Sequence, residues 1–186
     1  LGSGDFSGTY ERERDAVRAA NDRAQQANPG TYLAGELAGG FAVPAGAMGL
    51  LVVQNVDGWL LSDTAGQNPV ARGLVAPVGD PTRRWFYLVP KKGEPTLLCH
   101  VAEAGAFAGV AGARVTYNGY RDLDRALKAL LKGKRTVAME YSPKLPALSR
   151  IDAGTLEQVR GARVKVVSSD VLVQFVKATW GPGGRR

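Results

Sequence analysis

Short apolar runs separated by turn residues begin near Leu50 and continue almost to the end of the chain. The first run, at 58 to 61, predicts a buried strand. The runs at 85 to 89 and 96 to 100 flank a loop with two prolines, which predicts a hairpin with a loop rather than a tight turn. Runs rich in Val and Thr predict three further strands, at 114 to 117, 136 to 139 and 164 to 167.

Helical patterns lie between these runs. Residues 121 to 132 place apolar side chains on one face, and Gly133 is suited to end that helix. Residues 152 to 160 predict a shorter helix, and a last helix opens at Ser168 or Ser169 as N-cap and runs toward Trp180. A hairpin followed by alternating helices and strands predicts an α/β fold. We expect a mixed sheet flanked by helices, with the helix-linked strands parallel.

The chain divides into three parts by pattern. Residues 10 to 27 predict a helix with a thin apolar stripe, and a stretch rich in Gly, Ala and Pro follows it. We therefore assign residues 1 to 47 to an N-terminal helix and flexible segment, 48 to 181 to the folded domain and 182 to 186 to a tail. A chain of 186 residues fits one such domain.

Composition limits the setting and the partners. No apolar run reaches the roughly 18 residues of a membrane span, so no membrane partner is expected. One cysteine, Cys99, cannot form an internal disulfide, and a cytoplasmic location is the default. The net charge is +7, with 20 basic against 11 acidic residues from Met48 onward. The basic residues are dispersed along the sequence, which favours a solvated surface over a nucleic-acid partner.

The residues that catalysis needs are missing from the pattern. A hydrolytic metal site requires several converging ligands, and this chain has one His and one Cys. His100 and Cys99 are adjacent, so on a strand they point to opposite faces. No phosphate-binding glycine loop is present. We predict no catalytic residue, no metal ligand and no cofactor in this chain.

Several local phrases, in order, resemble a known family. They are DGWLLSD at 57 to 63, QNP at 67 to 69, TRRWFYLVPKKGEP at 82 to 95, AMEYSP at 138 to 143, RIDAGTLEQVR at 150 to 160 and SSDVLVQFVKATW at 168 to 180. Over residues 53 to 180 the chain resembles the N-terminal domain of the creatinase/prolidase family of Xaa-Pro peptidases. The resemblance implies a ribonuclease H-like fold. It also implies a separate pita-bread catalytic domain whose Asp, His and Glu residues bind Mn, Co or Zn.

The resemblance further implies what the domain does. Domains of this kind pack on the catalytic domain, support a homo-oligomer and form part of the active-site entrance for short proline-containing peptides. Arg83 and Arg84 are candidates there, because a guanidinium can pair a peptide carboxylate through two hydrogen bonds. Asp63, Asn68 and Trp85 are further entrance candidates. The simpler interpretations are a turn for Asp63, Asn68 and Pro69, sheet packing for Trp85, and solvent exposure for the arginines.

Two other classes of function stay open. One is a stand-alone binding module that recognises a peptide or another acidic partner, and its distinguishing feature would be basic residues gathered on one face. The other is an enzyme in its own right that uses Arg83, Arg84 and His100, which would need a pocket joining residues of the hairpin. We rank both below the non-catalytic domain.

Overall fold

The computed structural model describes residues 51 to 52, 54 to 144 and 149 to 178. The six strands are β1 (Gly58–Asp63), β2 (Trp85–Pro90), β3 (Thr96–His100), β4 (Ala113–Tyr117), β5 (Thr136–Met139) and β6 (Lys165–Ser168). The helices are α1 (Pro69–Val75), a 3₁₀ helix (Val101–Phe107), α2 (Tyr120–Leu130), α3 (Ala153–Gly161) and α4 (Asp170–Ala178). The predicted 10 to 27 helix and Trp180 lie outside the described residues.

The strands form one mixed sheet in the order β4-β3-β2-β1-β5-β6. Strand β2 pairs antiparallel with β3, its partner in the predicted hairpin, and also with β1 on its other side. Strand β1 pairs parallel with β5, β5 with β6, and β3 with β4. Helices link the parallel partners that follow one another in the chain, as such crossovers require. The predicted α/β class, mixed sheet and parallel arrangement are confirmed.

Alternating side chains along the strands build two cores, one on each face of the sheet. On one face Trp59, Leu61 and Tyr87 pack beneath α1, the 3₁₀ helix and α4. On the other face Leu60 and Phe86 pack beneath α2 and α3. Because both faces are covered, the central strands β1 and β2 are buried along their whole length. No helix in the described part of the chain is long and apolar enough to cross a membrane.

The turn predicted at Asn68 and Pro69 is wrong, because the chain there begins helix α1. Asn68 is the N-cap, and its side-chain oxygen accepts hydrogen bonds from the backbone N–H groups of Val70 and Ala71. Pro69 occupies the first helical position, where its missing N–H costs nothing. The same dipeptide suits a turn and a helix start. The packing of Ala71 and Leu74 on the sheet favours the helix.

The other helix predictions hold to within two residues. The predicted helices at 121 to 132 and 152 to 160 correspond to α2 and α3. The two serines predicted as possible N-caps of the last helix make different hydrogen bonds. The Ser168 hydroxyl accepts from the backbone N–H of Asp170, while the Ser169 hydroxyl turns inward to a buried carboxylate.

Candidate functional site

A shallow groove lies where β1 ends and α3 begins. Its floor comes from the end of β1, and its far wall comes from the segment that leads into α3. The lining side chains are Ser62, Asp63, Thr64, Gln67, Arg150, Ile151, Asp152 and Thr155. The groove lies at the carboxyl end of β1, and β1 itself lies between β2, which runs antiparallel to it, and β5, which runs parallel to it. Ligands of open α/β sheets bind outside the carboxyl ends of the strands.

Asp63 and Asn68 hold the loop after β1 in shape. Asp63 is buried, and its carboxylate accepts hydrogen bonds from the backbone N–H groups of Gly66 and Asn68. The Asn68 side chain donates to the carbonyl of Ser62 at 2.8 Å. The polar atoms of both side chains form hydrogen bonds within the protein. These two entrance candidates therefore shape the loop, and they expose too little surface for more than a marginal contact with a substrate.

Glu140 is a buried carboxylate near the start of α1, and no basic side chain in the described part of the chain forms an ion pair with it. Trp59 Nε1 donates to its Oε1 at 2.6 Å, and the Ser169 hydroxyl donates to the same oxygen at 3.1 Å. Asn68 Nδ2 donates to Oε2 at 2.9 Å. Burial raises the pKa of Glu140 to about 7, although the three hydrogen bonds favour the charged form. Glu140 therefore ties β1, α1 and the start of α4 to the end of β5.

Arg84 does not line the groove itself, but it contacts two residues that do, Thr64 and Asp152. Its Nε donates to the hydroxyl of Thr64 at 3.1 Å, and its guanidinium pairs with Asp152 at 3.3 Å. Asp152 also caps α3 through the N–H of Thr155. Burial alone would raise the pKa of Asp152, but the bonds from Thr155 and the charge of Arg84 lower it overall. The Arg84 side chain stays about one-quarter exposed, so solvent reaches part of it.

Arg83 lies on the same edge but faces away from the groove. Its side chain and backbone N–H both donate to Glu103, at 3.1 and 3.0 Å. Thr82 donates to the same carboxylate through its hydroxyl and its backbone N–H. Burial tends to raise the pKa of Glu103, and these hydrogen bonds lower it. Arg83 is half exposed and fixes the loop before β2 to the 3₁₀ helix.

Trp85 belongs to the core. Its side chain is fully buried and meets Phe107 edge to face, with ring centroids 5.6 Å apart. Among the described residues its Nε1 has no hydrogen-bond partner, unlike that of Trp59. The indole therefore contributes apolar burial to the sheet and presents no surface at the groove.

His100 and Cys99 lie on opposite faces of the sheet, as predicted. Cys99 is buried in the core beneath the 3₁₀ helix. His100 Nδ1 accepts from the backbone N–H of Ala102, and its ring meets Tyr117 edge to face. Among the residues that the structure describes, no three His, Cys, Asp or Glu side chains are placed to hold a metal ion.

Sequence reasoning missed the role of Glu140. Glu140 was not among the candidate residues, and its side chain is buried in the interior. The available signal was a Glu directly after the apolar run at 136 to 139, on the face of β5 that carries Ala138. A charge in register with a core position needs buried partners. Those partners come from Trp59, Asn68 and Ser169, which are far apart in the sequence.

Comparisons with known proteins show that this chain is similar in fold to several solved structures. No protein-family model matches the chain, and no curated protein matches it in sequence. Among solved structures, a proline dipeptidase from Streptococcus pneumoniae is 17% identical with a TM-score of 0.58, over 72% of this chain and 95% of that one. The creatinase/prolidase N-terminal domain of an X-Pro dipeptidase from Streptococcus pyogenes is 16% identical with a TM-score of 0.55, over 69% and 93%.

A longer neighbour shows the same likeness over one part of its length. The prolidase from Pyrococcus horikoshii is 14% identical with a TM-score of 0.56, over 73% of this chain. The chain spans only 35% of the length of that prolidase. At these identities the comparison concerns architecture. The described chain has the fold of the creatinase/prolidase N-terminal domain, as its sequence phrases led us to expect.

Proposed function

We propose that this chain is the non-catalytic N-terminal domain of a Xaa-Pro peptidase-like metallohydrolase. The observation that carries the proposal is the pattern of coverage. The chain accounts for 93% of an N-terminal domain solved by itself and for about a third of a full prolidase. Bond cleavage is then the task of a pita-bread catalytic domain, in the same polypeptide or in a separate subunit.

The catalytic partner would supply the chemistry. Divalent Mn, Co or Zn held by that partner would polarise the scissile carbonyl and activate a water molecule. This domain would support a homo-oligomer and form part of the entrance for short proline-containing peptides, in the cytoplasm. No step of the reaction falls to its own residues.

Arg84 is the residue we assign to the entrance. It contacts Thr64 and Asp152, which line the groove, and its side chain stays about one-quarter exposed. A fixed guanidinium recognises the carboxylate of a short peptide through paired hydrogen bonds. Arg83 supports this loop through Glu103, and Asp63, Asn68 and Trp85 support it from inside.

The first experiment tests the division of labour. The chain alone is assayed against Xaa-Pro dipeptides and tripeptides with added Mn, Co or Zn, and its bound metal is measured in the same sample. We expect no turnover and no stoichiometric metal. Light scattering then gives its mass alone and after mixing with its catalytic domain, and we expect a stable complex. Cleavage abolished by a chelator would overturn the proposal.

The second experiment tests Arg84 in the assembled peptidase. Arg84→Ala should raise KM for an Xaa-Pro dipeptide about tenfold or more, with kcat little changed, because a charged hydrogen bond to the substrate is lost. The same substitution should have little effect on an Xaa-Pro amide, which lacks the carboxylate. Arg121→Ala, an exposed arginine on α2, is the control. An equal rise in KM for the Xaa-Pro dipeptide and for the Xaa-Pro amide would show that Arg84 does not bind the substrate carboxylate.

A further inference from the structure

The fold gathers basic side chains that are dispersed in the sequence. We define the amino edge of the sheet as the side where β1, β5 and β6 begin and β2 ends. Its loops and strand ends carry seven basic residues from three separate segments. They are Lys91, Lys92, Lys132, Lys134, Arg135, Arg163 and Lys165.

Backbone contacts make these segments neighbours. The N–H of Lys91 donates to the carbonyl of Asp57 at 2.9 Å, which joins the end of β2 to the start of β1. The N–H of Lys165 donates to the carbonyl of Arg135 at 2.9 Å, which joins β6 to β5. With strands about 4.8 Å apart, the row from β2 to β6 is roughly 14 Å long.

The basic residues of this row differ from most other basic residues of the described chain in having no ion-pair partner. Six basic residues elsewhere each form an ion pair: Arg72, Arg83, Arg84, Arg125, Lys128 and Arg160. Within the described part of the chain, none of the seven side chains on the amino edge forms an ion pair or a hydrogen bond.

Two acidic residues share the amino edge, Asp57 and Glu94. The Asp57 carboxylate accepts hydrogen bonds from the backbone N–H groups of Arg135 and Thr136, at 2.7 and 3.0 Å. These hydrogen bonds, with the charges of Arg135 and Lys134, hold its pKa below the ordinary value. Asp57 thus positions the start of β5. The edge keeps a large positive excess.

We propose that the amino edge binds the phosphate backbone of a nucleic acid. Lysine supplies five of the seven charges, which suits contact with phosphates rather than reading of bases. A row of roughly 14 Å spans about four base-pair steps along the axis of a duplex. The large exposed apolar side chains of the described residues are Val52, Val78, Val101, Val115 and Tyr120, and none belongs to the loops that carry the seven. A protein partner would need such an anchor.

This inference goes beyond the proposed function and does not depend on it. The distribution of charge in the sequence argued against nucleic acid, because a binding face requires gathered basic residues. The sheet supplies that gathering by bringing the ends of β2, β5 and β6 side by side. Binding would be independent of sequence and sensitive to salt.

The test is fluorescence polarisation of a labelled 20-base-pair duplex with the full chain between 50 and 200 mM salt. We expect binding that weakens steeply with salt. The double variant Lys92→Glu, Lys165→Glu should bind about tenfold more weakly at 50 mM and lower the slope of log affinity against log salt by about 2. The matched control is Arg121→Glu, Lys144→Glu, which makes the same charge change at exposed positions elsewhere.

Three results would overturn the proposal. They are absence of duplex binding at 50 mM salt, an equal loss in both double variants, and binding to polyglutamate as tight as to the duplex. The last result would identify an acidic polypeptide as the occupant. Circular dichroism of both variants checks that each is folded.

Discussion

Trp59 and Glu140 are 81 positions apart in the sequence and are joined by a hydrogen bond of 2.6 Å inside the protein. Trp59 lies on β1, and Glu140 follows β5, the parallel neighbour of β1. The indole N–H is one of three neutral donors to this buried carboxylate. The Trp59 contact joins β1 to the end of β5, and the contacts from Asn68 and Ser169 join the same carboxylate to α1 and to the start of α4.

The two buried tryptophans give a matched comparison. Trp59→Phe removes a donor from a buried carboxylate, while Trp85→Phe removes an N–H that has no partner. Both changes delete a similar volume from the same core. We expect Trp59→Phe to lower the free energy of unfolding by about 1 to 3 kcal/mol more than Trp85→Phe. Urea unfolding followed by circular dichroism measures the difference. Equal losses would show that the hydrogen bond contributes no net stability.

The raised pKa of Glu140 makes the stability of the folded protein depend on pH. It is about 7 in the folded protein against an ordinary value of 4.5, so the folded state binds this proton more tightly. Stability should therefore fall as pH rises from about 4.5 to 7, by roughly 3 kcal/mol, and level off above pH 7. Urea unfolding between pH 5 and 8 measures this. Glu140→Gln should remove the slope, and Glu157→Gln, on the surface of α3, should retain it. A slope that survives in Glu140→Gln belongs to another group.

Asn68 has two roles, because its side-chain oxygen caps α1 and its side-chain nitrogen donates to the buried carboxylate of Glu140. Asn68→Ala should lower the free energy of unfolding by about 2 to 4 kcal/mol, because it removes the cap and leaves Glu140 with one donor fewer. Asn68→Asp keeps a capping oxygen but puts a second carboxylate beside Glu140, so its loss should grow as pH rises. Asn118→Ala, at an exposed position, is the control for denaturant unfolding. A loss below 1 kcal/mol for Asn68→Ala would contradict this dual role.

Gly112 is required where the chain enters β4. Its φ is +100°, and a Cβ there would lie 2.2 Å from the carbonyl oxygen of Pro95. That oxygen also accepts the N–H of Ala113, which begins the pairing of β3 with β4. Gly112→Ala should cost at least about 2 kcal/mol. Gly109→Ala, with no atom within 4 Å of its Cβ, should cost little by thermal unfolding. Equal melting temperatures for the Gly112→Ala and Gly109→Ala variants would show that position 112 does not require glycine.

The strands and three of the helices could be predicted because each carries its own local pattern. Apolar runs of strand length identify the six strands, and helical spacing identifies α2, α3 and the start of α4. The 3₁₀ helix was not predicted. Helix α1 escaped prediction, since Asn-Pro is compatible with a turn and with an N-cap. Its seven residues are too few to show a clear period.

The sequence by itself therefore determined the α/β class, the hairpin, and the opposite orientations of Cys99 and His100, because alternation along a strand is a local property. Only the tertiary structure decided which distant residues meet. Sheet order brings Trp59, Asn68 and Ser169 to Glu140, and it brings Arg84 to Asp152. It also places seven dispersed basic residues along one edge. Strand pairing is a long-range choice governed by the burial of both faces, which no local pattern records.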